Sequence, residues 1–238
     1  MARLVNLRQL HRAPSIAALV SAAILACPVA AEDDCAEDAM VVFDGSGSMA
    51  EMGFNQIDEP RIFEARQAVA TAIPQIAATR RIGLLVYGPN GADGCSGIDL
   101  RFPPILDAAP RIINAVNALE PEGETPLTAS VNRAIAVLEE TSGTGTVVLV
   151  TDGKETCGGA PCQLAAELAG TGHIVHVIGF KVRGEYFAWS SEENNEYENA
   201  VSVARCLADR TGGLYIGAET IDELIAAFHK TLGCRLLF

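Results

Sequence analysis

Six short, almost continuously apolar runs punctuate the chain from residue 40 onward, and most are separated by stretches of helical periodicity. Met40-Val41-Val42-Phe43, Ile82–Tyr87 (IGLLVY), Thr146–Val150 (TVVLV) and Ile174–Phe180 (IVHVIGF) lead the series, with shorter runs at Ile98–Phe102 and Leu214–Ile216. Side chains of a strand alternate between its two faces, so runs this apolar need cover on both sides. Helical patterns supply it. Ile62, Val69, Ile73 and Ile76 share a face within residues 61–78, where Pro74 is expected to kink or end the helix. Ile112, Val116 and Leu119 mark another helix, and Leu127, Val131, Ile135 and Leu138 a third. Leu164 and Leu168 follow Pro161 in a short helix, and residues 195–211 read as helix up to Gly212-Gly213. Thr220, with Glu223 three residues on, forms a capping box for a last helix striped by Ile221, Leu224, Ile225, Phe228 and Leu232.

Alternating elements of this kind predict an α/β fold: a doubly wound, mainly parallel six-stranded sheet with helices on both faces. The Gly-rich stretch Gly88–Gly97 makes a hairpin of its two flanking runs, so Ile98–Phe102 becomes an antiparallel edge strand. No repeat or linker interrupts residues 35–238, which read as one domain.

The N-terminus stands apart. Arg3, Arg8 and Arg12 precede a run of small and apolar residues from Ile16 to Cys27, then Val29-Ala30-Ala31, and no acid occurs before Glu32. Residues 1–31 therefore read as a secretory signal peptide. No segment reaches the ~18 apolar residues of a membrane span. Ile24-Leu25-Ala26-Cys27 loosely resembles a bacterial lipoprotein processing site, but Leu25 is not small and Pro28 follows, which argues against a lipid anchor at Cys27. Cleavage would leave 14 basic and 30 acidic residues, a net charge of −16. Nucleic acid and anionic lipid are poor partners for such a surface. Six cysteines would remain: Cys35, Cys95, Cys157, Cys162, Cys206 and Cys234. An even count in an exported chain points to disulfides.

Ligands of open α/β sheets bind beyond the carboxyl ends of the strands. Asp44 ends the first strand and opens Asp44-Gly45-Ser46-Gly47-Ser48, and Thr151-Asp152-Gly153 follows the fourth. Thr125-Pro126 begins a helix near the same edge, where Thr125 is also a good helix cap. Each string alone is an ordinary turn. Together, two carboxylates and three hydroxyls make a hard-oxygen set suited to Mg²⁺ first, with Mn²⁺ or Ca²⁺ as alternatives.

With these residues the chain resembles the von Willebrand factor type A (VWA) family over about residues 38–232. That family's metal-ion-dependent adhesion site (MIDAS) has the pattern Asp-x-Ser-x-Ser, then Thr, then Asp, matched here by Asp44, Ser46, Ser48, Thr125 and Asp152. Asp93-Gly94-Cys95, Glu155–Gly159 and Thr211-Gly212-Gly213 narrow the likeness to exported bacterial members. The resemblance implies a binding module rather than an enzyme. Its divalent ion would keep one position for a Glu or Asp of a protein partner, in adhesion or in assembly of a complex in the periplasm or at the cell surface. A metal-dependent hydrolase is the alternative, since an ion can activate water, but no general base is evident. The resemblance also implies a Cys35–Cys234 bond joining the domain's ends. For the other four cysteines, Cys157–Cys162 with Cys95–Cys206 competes with Cys95–Cys157 plus Cys162–Cys206.

Two features remain outside this scheme. Gly184–Asn194 carries Tyr186, Phe187 and the single tryptophan, Trp189, and reads either as a partner-contact patch or as a loop folded onto its own domain. His173 and His176 project to opposite sides of a strand and suit structural roles better than a metal pair.

Overall fold

The computed structural model describes residues 37–52, 59–182 and 204–233. The segment that reads as a signal peptide, Cys27, Cys35, Cys234 and the Gly184–Asn194 aromatics lie outside those residues.

Strands β1 (Ala39–Asp44), β2 (Ile82–Tyr87), β3 (Ile98–Ile105), β4 (Thr146–Thr151), β5 (Ile174–Phe180) and β6 (Tyr215–Ala218) form one sheet in the order β3-β2-β1-β4-β5-β6. Only the β2–β3 pairing is antiparallel, and β3 sits at the edge as expected. It runs three residues beyond the expected Phe102, through Pro103-Pro104, which an edge strand tolerates because it has a free side. β1, β2 and β4 are buried at every position.

Alternation along the strands divides the core. Ala39, Val41 and Phe43 of β1 pack with α1 (Arg61–Ala77), α2 (Ala109–Asn117) and α6 (Ile221–Leu232). Met40 and Val42 face α3 (Leu127–Thr141), α4 (Pro161–Leu168) and α5 (residues 204–211). The two faces thus receive different helices, as in doubly wound sheets.

Two local expectations need correction. Of the two outcomes expected at Pro74, a kink or an end, the end does not occur: α1 continues to Ala77. The ring lies on the exposed face, and the carbonyl it leaves unbonded belongs to Ala70, also exposed, so water can serve it. Thr125 does not cap α3: the helix starts at Leu127 with Pro126 in the cap position and no side-chain capping bond. At α6 the capping expectation holds in part. Thr220 Oγ1 accepts from the Glu223 N–H at 3.2 Å, while Glu223 Oε2 reaches back to the Glu219 N–H at 2.7 Å, one residue before the cap.

Among the described residues no helix is long and apolar enough to cross a membrane. Cys95–Cys157 and Cys162–Cys206 are disulfide-bonded, which decides between the two pairings open in the sequence. His176 Nδ1 accepts from the Leu214 N–H at 2.9 Å, whereas buried His173 lies 3.8 Å from Glu139 Oε1 and its Nδ1 finds no hydrogen-bond partner among the described residues.

Candidate metal centre

β1 and β4 are neighbours at the middle of the sheet, and connections leave them in opposite directions. Such a switch point opens a crevice at the carboxyl ends of the strands. Asp44 closes β1 there, and Asp152 follows the last residue of β4.

Strand register builds the floor. Asp44 aligns with Tyr87 of β2, and the Phe43–Val150 pairing brings Thr151 to its other side. Asp44 Oδ2 accepts from the Tyr87 hydroxyl at 2.6 Å and from Thr151 Oγ1 at 2.8 Å. Oδ1 accepts from the Ser46 N–H at 2.8 Å and from Ser46 Oγ at 2.5 Å. Ser46 Oγ lies 3.1 Å from Ser48 Oγ, which donates to Asp152 Oδ1 at 2.7 Å. A single chain of contacts therefore joins four of the five predicted residues.

Thr125 arrives on a separate loop. The Gly47 N–H donates to Gly123 O, and the Glu122 N–H to Gly45 O, each at 3.0 Å. Close approach of these loops depends on glycine. A Cβ on Gly88 (φ +106°) would stand 2.5 Å from Ser46 N, and one on Gly123 (φ +79°) would strike Gly88 O. Thr156 then fixes Thr125 at two points, accepting from its N–H at 2.8 Å and donating to its carbonyl at 3.2 Å.

Ser46, Ser48, Thr125 and Asp152 line a crevice of about 220 Å³, with Glu51, Arg61, Glu124 and Lys154 at its walls. Asp44, fully buried, is not part of the lining and acts on the crevice through Ser46. All five predicted residues are thus brought to one place, Asp44 as its foundation.

The donor set suits a hard divalent cation. It is all oxygen, and Asp152 Oδ2 is buried with no hydrogen-bond donor among the described residues, although Arg61 Nη1 is 3.3 Å away. Burial, and then repulsion from Asp44, push the Asp152 carboxyl up to about 7, against the opposing effects of Arg61 and the Ser48 hydrogen bond. Tyr87 is held well above its ordinary range by burial and by the neighbouring Asp44 charge, so it remains a hydrogen-bond donor. Among the described residues no three His, Cys, Asp or Glu side chains cluster as a conventional metal site. The hydroxyls complete the oxygen set here.

Sequence reasoning missed three contributors. In the sequence Tyr87 is a strand end, and its signal is the equal length of β1 and β2, both ending in a polar group. Thr156 sat inside a string noted only for its likeness. Arg61 starts a helical pattern, and nothing local ties it to Asp152, 91 residues away.

An oxygen-lined crevice over the switch point of a mostly parallel sheet defines a doubly wound α/β domain with a candidate cation site. Residues 39–155, which contain all five site residues, match the von Willebrand factor type A domain model, which identifies a domain of that family in the chain. It is 29% identical over 229 residues to YwmD of Bacillus subtilis (strain 168), covering 92% of this chain and 95% of that one. Among solved structures, a von Willebrand factor type A protein from Catenulispora acidiphila aligns with a TM-score of 0.57 at 17% identity, over 83% of this chain and 42% of that one. Proximal thread matrix protein 1 of the mussel byssus, solved with zinc in its MIDAS motif, aligns with a TM-score of 0.53 at 15% identity, over 82% of this chain and 44% of that one.

Proposed function

We propose that this domain holds a divalent cation, magnesium before manganese or calcium, and uses it to grip a carboxylate of a partner protein. The observation that carries this reading is the buried Asp152 Oδ2, without a hydrogen-bond donor, set among the hydroxyls of Ser46, Ser48 and Thr125. Those hydroxyls and Asp152 would hold the ion. Asp44 would keep Ser46 aimed at it. The bound ion supplies a local charge that lets an acidic chain attract an acidic group. The zinc-occupied motif of the mussel protein supports the choice of site and leaves the ion open.

We further propose that the domain is exported, acts in the periplasm or at the cell surface, and is not an enzyme. The two disulfides and the leader-like N-terminus support export. Calorimetric titration with Mg²⁺ or Mn²⁺ tests the site. The wild type should take up one ion, while Asp44→Ala and Asp152→Ala take up none yet keep their disulfides and helical signal. Capture of a partner from periplasmic extract should be lost with chelator and with either variant. Equal uptake by Asp152→Ala would remove the basis of the reading. A chelator-sensitive esterase or phosphatase activity would instead revive the hydrolase.

A further inference from the structure

Arg61 opens α1 at the wall of the crevice, with a side chain only 12% exposed. Its Nη1 donates to Ser48 O at 3.0 Å and lies 3.3 Å from Asp152 Oδ2. Glu51, 3.6 Å away, is 72% exposed and therefore well screened. Arg61 Nε is buried and finds no hydrogen-bond partner among the described residues. A guanidinium held against a carboxylate that is to bind a cation works against that cation. It also changes the charge of the site. Asp44 and Asp152 alone would balance a divalent ion. With Arg61 included, and with Glu124 and Lys154 of the walls cancelling one another, the loaded site carries one surplus positive charge, and a single incoming carboxylate cancels it.

We propose that Arg61 sets the affinity of the site: its contact with Asp152 keeps the divalent ion weakly held by the domain alone and tightly held once a carboxylate ligand joins it. This rests on the cation-site reading given above. Ion and carboxylate then reinforce one another, and by linkage each strengthens the other equally. The site favours ligands that bring one negative charge. Neutral donors, which leave the surplus in place, are discriminated against.

Arg61 also ties the Gly47–Ala50 turn to α1 through Ser48 O, so a purely structural role is the competing explanation, and the two differ in sign. Loss of a structural tie would loosen the loop and weaken or leave unchanged the uptake of metal. Loss of a competing charge strengthens it. An arginine beside a carboxylate depresses its proton affinity about ten- to a thousandfold, and a divalent ion feels the same charge about twice as strongly as a proton does, so neutralisation should tighten Mn²⁺ binding by about tenfold or more even against the proton that Asp152 then holds more firmly. Mn²⁺ titration of wild type, Arg61→Gln and Arg61→Lys reads this directly. Arg61→Gln should bind about tenfold tighter, and Arg61→Lys, which keeps the charge, should stay near wild type. Added acetate should tighten Mn²⁺ binding in the wild type more than in Arg61→Gln. Unchanged or weaker Mn²⁺ binding by Arg61→Gln, or an equal acetate response in both proteins, overturns the proposal. Failure of the wild type to bind Mn²⁺ overturns the underlying site instead. If the amide disturbs the turn, Arg61→Met repeats the test. A neutral variant that folds only with Mn²⁺ supports the proposal, and one that stays unfolded in saturating Mn²⁺ makes Arg61 structural and overturns it.

Discussion

The carboxylate of Asp44 accepts hydrogen bonds at both oxygens, from its own loop and from the strands on either side. Tyr87 supplies one of these from full burial. Tyr87→Phe deletes a donor to a buried charged acceptor. The variant should lose about 2 kcal/mol of unfolding free energy in urea titration, a typical cost for a hydrogen bond to a charged group. A midpoint equal to wild type would mean that the bond contributes nothing net. The Asp152 carboxyl gives a pH dependence. Raised from its ordinary 3.8 to about 7, it favours the protonated folded state. Its stabilising contribution is complete below pH 3.8 and is lost as pH rises through about 7. The same proton would compete with the cation proposed for the site. Mn²⁺ affinity should therefore rise about tenfold per pH unit up to pH 7 and level off above. A flat profile between about pH 5 and pH 8 would show that Asp152 does not exchange its proton for the ion.

Between the elements, Thr125 depends on two loops that the Cys95–Cys157 bond ties together. Gly94 O accepts from the Glu124 N–H at 3.0 Å on one side, and Thr156 holds Thr125 on the other. Glu155 adds to this, accepting from the Cys157 N–H through Oε1 and from the Thr128 N–H and hydroxyl through Oε2, all at 2.8 Å. Cys162–Cys206 instead joins α4 to α5. The two bonds span 62 and 44 residues, and chain entropy assigns each about 4 kcal/mol. Replacing either pair with serine should thus lower stability by a similar amount, while only Cys95→Ser with Cys157→Ser weakens Mn²⁺ binding. Equal weakening by both double variants would assign the effect to general loosening. The five oxygen-bearing residues were legible because their strings sit at strand and helix ends that periodicity locates. The clamp on Thr125 was not. It depends on which cysteines pair and on a hydroxyl 31 residues away, neither of which leaves a local pattern.

Across the whole molecule, alternating apolar runs and helical stripes revealed the layers, because a strand buried on both faces leaves a continuous hydrophobic signature. Which helices cover which face depends on the parity of β1, with Phe43 on one side and Val42 on the other, and on a strand order that no run carries in itself. That order makes the crevice a junction of loops from both sides of the sheet's centre: the Ser46–Ser48 turn, the Thr125 loop and the Asp152 turn. An ion gripping all three binds only the folded chain and should stabilise the domain as a whole. At about a hundred times its dissociation constant, Mg²⁺ should add about 2.7 kcal/mol. For a domain of this size that corresponds to a rise in melting temperature of about 5–10 °C. Differential scanning calorimetry in Mg²⁺ and in chelator reads the difference. The chain carries a net charge of −13, so any divalent ion also screens self-repulsion without occupying a site. Sodium chloride at matched ionic strength and the Asp152→Ala variant separate the two effects. Site binding gives a rise with Mg²⁺ that salt does not reproduce and the variant does not show, whereas a rise shared by all three samples would be diffuse screening.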